Sequence, residues 1–207
     1  MCYNYKIKTE AREIQEHYNA VFDMDTDMYF DIDARGFTHP VMPVVTNDAP
    51  HIIQAFTWGL IPSWVKNSEQ AKDMENACLL ARYESIHEKP SFRDSAQHKR
   101  CLIPATSFIE HQWTDLTKKN CPKVKYEIDL ESRIFSFAGL WSQWHDSEQD
   151  FIRNTFCIIM AEANELMSEI HNSQKRMPLI LRPDQEKEWL RHDVDVDMQL
   201  PLRALHA

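Results

Sequence analysis

Cys2 stands directly behind the initiator methionine. Removal of Met1 gives it a free α-amine and a thiol on adjacent carbons, a pairing that the internal Cys78, Cys101, Cys121 and Cys157 do not have. An α-amine has a pKa of about 7.7–8.0, so near neutral pH a sizeable fraction is unprotonated and nucleophilic. The alternative reading is structural: a small residue buried with a terminal strand. Five cysteines, odd in number and widely spaced, suit free thiols better than a disulfide framework. No C-x-x-C pair occurs and the histidines lack zinc spacing, so no metal is expected. Only Gly36, Gly59 and Gly139 occur, too few for a glycine-rich phosphate loop, and no cofactor is expected.

Two further groups are placed by their elements. In "SFIEHQW" (107–113) alternation sets Phe108 and Glu110 on one face of a strand. If that face is inward, Glu110 is partly desolvated and its pKa rises; otherwise it is an ordinary exposed edge-strand glutamate. His171 follows the predicted helix "EANELMSEI", where an imidazolium also interacts favourably with a helix dipole.

The elements around them read as mixed. "KVKYEIDL" alternates strictly, with Val124, Tyr126, Ile128 and Leu130 on one face, and "RIFSFAGL" follows after Glu131 and Ser132; together they predict a β-hairpin. Further strands are expected in "HIIQAFTW", "RCLIP", "SFIEHQW" and "TFCIIM", with helices around 9–21, 67–78, 162–172 and 184–192, the last opened by Pro183. Strands joined by short links with irregularly interspersed helices predict an α+β domain. With 207 residues, 43% of them hydrophobic, one domain over 1–207 is expected. The absence of a long apolar run or a signal-like terminus predicts a cytoplasmic protein with no membrane partner.

A net charge of −9 argues at first sight against a nucleic-acid partner, but the charge is uneven. Residues 1–50 are net −5 and residues 183–207 net −3, whereas Arg82 to Arg100 is net +2, enough for a local basic face.

Six stretches in order then converge. "MC", "WGLIPSW" (58–64), "ARYESIHEKPSFR" (81–93), "RCLIPATSFIEHQW" (100–113), "FAGLW" (137–141) and "IHNSQKRMPLIL" (170–181) resemble the blocks of the SOS-response-associated peptidase family, the abasic-site-processing proteins. The resemblance implies self-removal of Met1, a peptidase step, and capture by Cys2 of the ring-opened aldehyde of an abasic site in single-stranded DNA. It also implies a mainly antiparallel, strongly twisted or barrel-like sheet core flanked by helices, in a monomer.

In that chemistry the amine condenses with the aldehyde to a Schiff base and the thiol closes on the same carbon, forming a thiazolidine. Because both nucleophiles sit on one residue, the second attack is intramolecular. Glu110 and His171 match the family's proton-transfer positions. Arg82 matches an arginine that contacts the DNA backbone, with an ion pair to Glu84 or Glu88 as its structural alternative. Trp64 is a candidate for stacking on a base, Trp58 is expected in the core, and Lys175 and Arg176 are further backbone candidates. Leu80 stands where the family carries asparagine, with Asn76 a conceivable substitute, and Tyr3 and Asn4 replace the family's glycine and arginine. A divergent, non-catalytic single-strand-binding or protein-interaction module is the alternative function.

Overall fold

The computed structural model describes residues 2–23, 28–118, 120–147, 149–193 and 200–206. In chain order its elements are β1 (Asn4–Glu10), α1 (Ala11–Tyr18), β2 (Val21–Phe22) and β3 (Tyr29–Arg35), then a 3-10 turn (Gly36–Thr38), β4 (Val41–Thr46) and β5 (Ile52–Trp58). Next come α2 (Ser68–Ala77), β6 (Leu80–Arg82), a second 3-10 turn (Tyr83–Ser85) and α3 (Arg93–His98). β7 (Arg100–Ala105), β8 (Ser107–Trp113), β9 (Lys123–Leu130), β10 (Phe135–Asp146) and β11 (Phe151–Glu162) follow in near succession. After them lie α4 (Glu165–Ile170), β12 (Arg176–Pro178), β13 (Ile180–Leu181), α5 (Pro183–Trp189) and β14 (Leu202–His206). Among the described residues, no helix is long and apolar enough to cross a membrane.

The strands form two sheets. One is antiparallel with the order β14-β9-β8-β1-β3. The other runs β12-β11-β10-β7-β4-β5-β2, with β13 on β10 and β6 on β11. In it β11 also pairs with β5, so β11, β10, β7, β4 and β5 close a ring of pairings, the barrel-like core expected of an α+β chain. Closure of this kind removes exposed strand edges. An aromatic cluster joins the sheets: Tyr5 of β1 lies 5.2 Å from Trp58 of β5 and 5.6 Å from Phe137 of β10 between ring centroids, and Phe108 of β8 lies 5.9 Å from Phe137. Trp58 is in the core, as its sequence context predicts, with its indole N–H donating to the Leu79 carbonyl at 2.9 Å.

The predicted hairpin is not formed. β9 pairs with β8 and β14, whereas β10 pairs with β7, β11 and β13, so the two neighbouring strands enter different sheets. Glu-Ser supplies neither positive-φ residue of a tight hairpin turn, and the longer link lets the chain cross between layers. The four predicted helices are present with shorter bounds, set by local chemistry. Asn67 caps α2 by accepting the Gln70 N–H at 2.8 Å, Asn164 caps α4 by accepting the Met167 N–H at 2.9 Å, and Pro183 opens α5. Gly59 turns the chain out of β5 at φ +125°, where a Cβ would meet the Glu75 carbonyl oxygen at 2.6 Å, so only glycine fits.

Candidate active site

β8 is the organising element. It lies between β1 and β9, so Glu110 belongs to an interior strand and not to an edge. Phe108 and Glu110 share the inward face, and Glu110 is 2% exposed, which excludes the exposed-glutamate reading. The β1–β8 register pairs Asn4 with Ile109, and continuing it by one residue sets Tyr3 across from Glu110, with Cys2 just beyond.

Cys2 is 0% exposed and its thiol contacts the Asn4 carbonyl oxygen at 3.7 Å. Burial and then the negative charge of Glu110 push the thiol well above its ordinary pKa. The five cysteines are all buried and unpaired, and burial raises the Cys78, Cys101 and Cys157 thiols too. Burial alone therefore does not distinguish Cys2. Its distinction is chemical, the α-amine that removal of Met1 exposes, together with the proximity of Glu110.

α4 carries the histidine to the same strand. His171 is the C-cap of α4 and 2% exposed. Its Nδ1 lies 2.7 Å from the Arg176 carbonyl oxygen and 3.3 Å from the Arg176 amide nitrogen, so the backbone of Arg176 holds the ring by this nitrogen. Gln112 donates to the Glu169 carbonyl at 2.9 Å, and Asn172 bonds the backbone of Trp113, so residues on both sides of His171 are tied to the end of β8. His111, beside Glu110, is half-buried; burial lowers its pKa, the Glu110 charge opposes this, and Lys123 and Lys125 reinforce it.

A third contribution comes from β6 and β12, which flank the same end of β11: Leu80 pairs with Ile158 and Arg82 with Met160, while Arg176 pairs with Glu162. A cavity of about 200 Å³ opens between them, with Tyr3, Leu80, Arg82, Lys89 and Arg176 in its walls. A more open one of about 600 Å³ adjoins it, holding Arg82, Lys175 and Arg176. Lys175 adopts a left-handed backbone, φ 51°, at this rim. Arg82 does not take Glu84 as its ion-pair partner; Arg176 does. Burial works against Glu84, but Arg176 and then the Arg82 charge hold its carboxyl below the usual range.

Leu80 puts an apolar side chain into the cavity wall. Asn76 reaches the same cavity, but its Oδ1 contacts His39 Nε2 at 3.2 Å and its Nδ2 donates to the Lys72 carbonyl at 2.9 Å, so its amide is already engaged. Trp64 is 45% exposed and lies outside the lining of this cavity; its indole N–H donates to the Pro90 carbonyl, next to Lys89. Cys2 thus lies within reach of the Glu110 charge, the residues flanking His171 are tied to the end of the same strand, and Leu80, Arg82 and Arg176 share one cavity wall with Tyr3, while Lys175 lines the adjoining cavity and Trp64 lies outside both linings. Lys89 and Asn172 were assigned no role from sequence, although both lie inside the stretches that carry the resemblance.

The fold defines the class first. A protein from Bacteroides thetaiotaomicron has the same α+β architecture at TM-score 0.86 and 29% identity, over 99% of this chain and 91% of its own. A second, from Bordetella bronchiseptica, matches in fold at TM-score 0.77 and 18% identity. The chain belongs to the SOS response associated peptidase (SRAP) family, whose model matches residues 1–206. Among named relatives, Abasic site processing protein YoqW of Bacillus subtilis (strain 168) is 35% identical over 191 residues, 92% of this chain and 80% of the relative. Abasic site processing protein HMCES of Pongo abelii is 27% identical over 184 residues, 77% of this chain and 51% of that longer protein.

Proposed function

We propose that this protein captures abasic sites in single-stranded DNA as a covalent thiazolidine on Cys2, after removing its own Met1. The observation that carries the reading is the approach of Cys2 to the buried Glu110, beside a cavity walled by Arg82, Lys89 and Arg176. In the mature chain the Cys2 α-amine adds to the aldehyde of the ring-opened sugar. The carbinolamine loses its oxygen as water, leaving a Schiff base. The thiol then adds across the C=N bond, its sulfur to the carbon and its proton to the nitrogen, with no further loss. Because burial disfavours the thiolate, the amine is the first nucleophile.

Glu110 takes the proton from the attacking amine and returns one to the departing oxygen, and His171 protonates the sugar oxygen as the ring opens. Arg82, Lys175 and Arg176 hold backbone phosphates, and Trp64 stacks further along the strand. The protein works as a monomer in the cytoplasm, without metal or cofactor. Leu80 favours a second reading, a single-strand-binding module in which the apolar wall has disabled the chemistry.

Intact mass decides between them. After incubation with a single-stranded abasic oligonucleotide, the native protein gains the mass of the strand less one water. Cys2→Ala gains nothing, while single alanine variants of Cys78, Cys101, Cys121 and Cys157 react as the native protein does. Loss of Met1 alone settles nothing, because ordinary aminopeptidases remove methionine before a small residue. A native protein that binds the strand without adduct supports the second reading, and a full-strength adduct in Cys2→Ala overturns the thiazolidine. Arg82→Ala weakens strand binding and lowers the magnitude of its salt slope by about one, the signature of one lost phosphate contact.

A further inference from the structure

Next to the nucleophile stand two aromatic rings that the chemistry above does not use. Tyr3 and Phe37 lie 4.8 Å apart between centroids, tilted at 42°. Phe37 is 61% exposed, although it sits on a turn fixed to the core. The Gly36 N–H donates to the Tyr3 carbonyl at 2.8 Å, His39 N–H donates to the Gly36 carbonyl at 2.9 Å, and the Thr38 hydroxyl donates to the Arg35 carbonyl at 2.8 Å. Both ring nitrogens of His39 are engaged, with the Trp58 carbonyl and with Asn76 of α2. Gly36 itself packs on Trp58 and Leu79, where a Cβ would lie 3.4 Å from each. The pair is therefore held from the strand, the turn and the helix together.

We infer that Tyr3 and Phe37 form a stacking platform for a nucleobase adjoining the lesion, an inference that rests on the DNA reading above and names a base subsite within it. Three observations meet there. Tyr3 adjoins Cys2, and continuing the β1–β8 register one residue past Asn4–Ile109 brings it to Glu110, so a base on this platform neighbours the captured sugar. Tyr3 also walls the cavity that holds Arg82, Lys89 and Arg176, so an aromatic face and phosphate-binding cations border one space, the two halves of a nucleotide. The turn that carries Phe37 is tied down by these hydrogen bonds, so a base stacks there with little ordering of the backbone. The chain's charge is −9, and a contact that uses the π-face of a base adds affinity without further cations. A purine offers the larger stacking face, so the platform favours a purine beside the lesion.

The test uses undamaged single strands as well as abasic ones, so that binding is read independently of the chemistry. Fluorescence anisotropy gives Kd for oligonucleotides with purines or pyrimidines at the central positions, across a salt series. Phe37→Leu, which keeps apolar bulk but removes the ring, is expected to weaken binding about five- to 150-fold and to abolish the purine preference. Its salt slope stays native, unlike that of Arg82→Ala. Tyr3→Phe retains the preference and Tyr3→Leu loses it. With the abasic strand, a purine neighbour lowers the oligonucleotide concentration that half-saturates cross-linking in the native protein. Equal native affinity for purine and pyrimidine strands, or a Phe37→Leu protein that melts and discriminates as the native one does, overturns the platform. So does transfer of the preference to Trp64, seen as its loss in Trp64→Ala alone. Failure of adduct formation with purine-selective, Phe37-dependent binding intact would refute the chemistry and leave the platform standing.

Discussion

Asn172 and Trp113 exchange two hydrogen bonds: Asn172 Oδ1 accepts the Trp113 N–H at 3.1 Å, and Asn172 Nδ2 donates to the Trp113 carbonyl at 2.8 Å. An asparagine side chain thereby imitates a paired strand at the end of β8. It fixes the residue after His171 to the strand that carries Glu110. Asn172→Ala is expected to cost about 1–3 kcal/mol of stability through two lost bonds. It should also slow cross-linking at saturating oligonucleotide while leaving strand affinity near native, because the imidazole loses its alignment and the cations are untouched. Paired thermal melts and gel time courses check both halves. An unchanged saturating rate would separate Asn172 from the site.

Glu110 and His171 are expected to matter for rate far more than for folding. Glu110→Gln and His171→Ala should each slow adduct formation by roughly 10²–10⁴-fold, the usual contribution of a positioned proton-transfer group. Glu110→Gln should melt no lower than the native protein, since the amide has the same shape and removes a charge that is costly to bury. If both variants fold and cross-link at the native rate, the assignment of these two roles is wrong.

Leu80→Asn tests what an amide in that wall would do. One neutral hydrogen bond contributes a net ~0.5–1.5 kcal/mol, or about two- to tenfold in rate. The native protein is expected to cross-link, and Leu80→Asn to do so faster within that range. Time courses at equal oligonucleotide concentration measure the ratio. An inert native protein rescued by Leu80→Asn would establish the binding-module reading.

Glu127 gives a stability prediction with a sign. Burial tends to raise its carboxyl pKa, but hydrogen bonds from Lys6 and Ser107, each at 2.6 Å, outweigh this and hold it below the usual range. A carboxyl depressed in the folded state contributes stability above its unfolded pKa and loses it as pH falls through the folded value. The melting-temperature gap between native protein and Glu127→Gln should therefore be full at pH 7 and shrink below about pH 4. A gap that stays constant across this range would mean that the charge of Glu127 adds no stability.

Much of the local structure was legible because its causes are local. "SFIEHQW" alternates and becomes β8 over the predicted residues, "KVKYEIDL" becomes β9, and asparagine caps and Pro183 start helices where their chemistry serves. β1 is just as legible. Tyr5, Ile7 and Thr9 alternate with Lys6, Lys8 and Glu10, and the first three are buried. The helix expected around 9–21 overlaps its last two residues, where the chain passes from β1 directly into α1.

What the sequence determined by itself was which atoms are available for chemistry: one residue with an amine and a thiol, a carboxylate on the face of Phe108, and a histidine closing a helix. Those are properties of residue type and near-neighbour spacing. Partners at long range were decided by the tertiary structure. Alternation tells which side of a strand is apolar, but not which strand lies beside it. For that reason β9 and β10, adjacent in the chain, belong to different sheets, while β1 and β8, about a hundred residues apart, pair Asn4 with Ile109 and so bring the N-terminus to the strand of Glu110. The same long-range packing gave Glu84 to Arg176 and not to Arg82, and occupied Asn76 with His39 and Lys72. Pairing and packing are settled by which surfaces are buried together, and that quantity exists only once the chain has closed on itself.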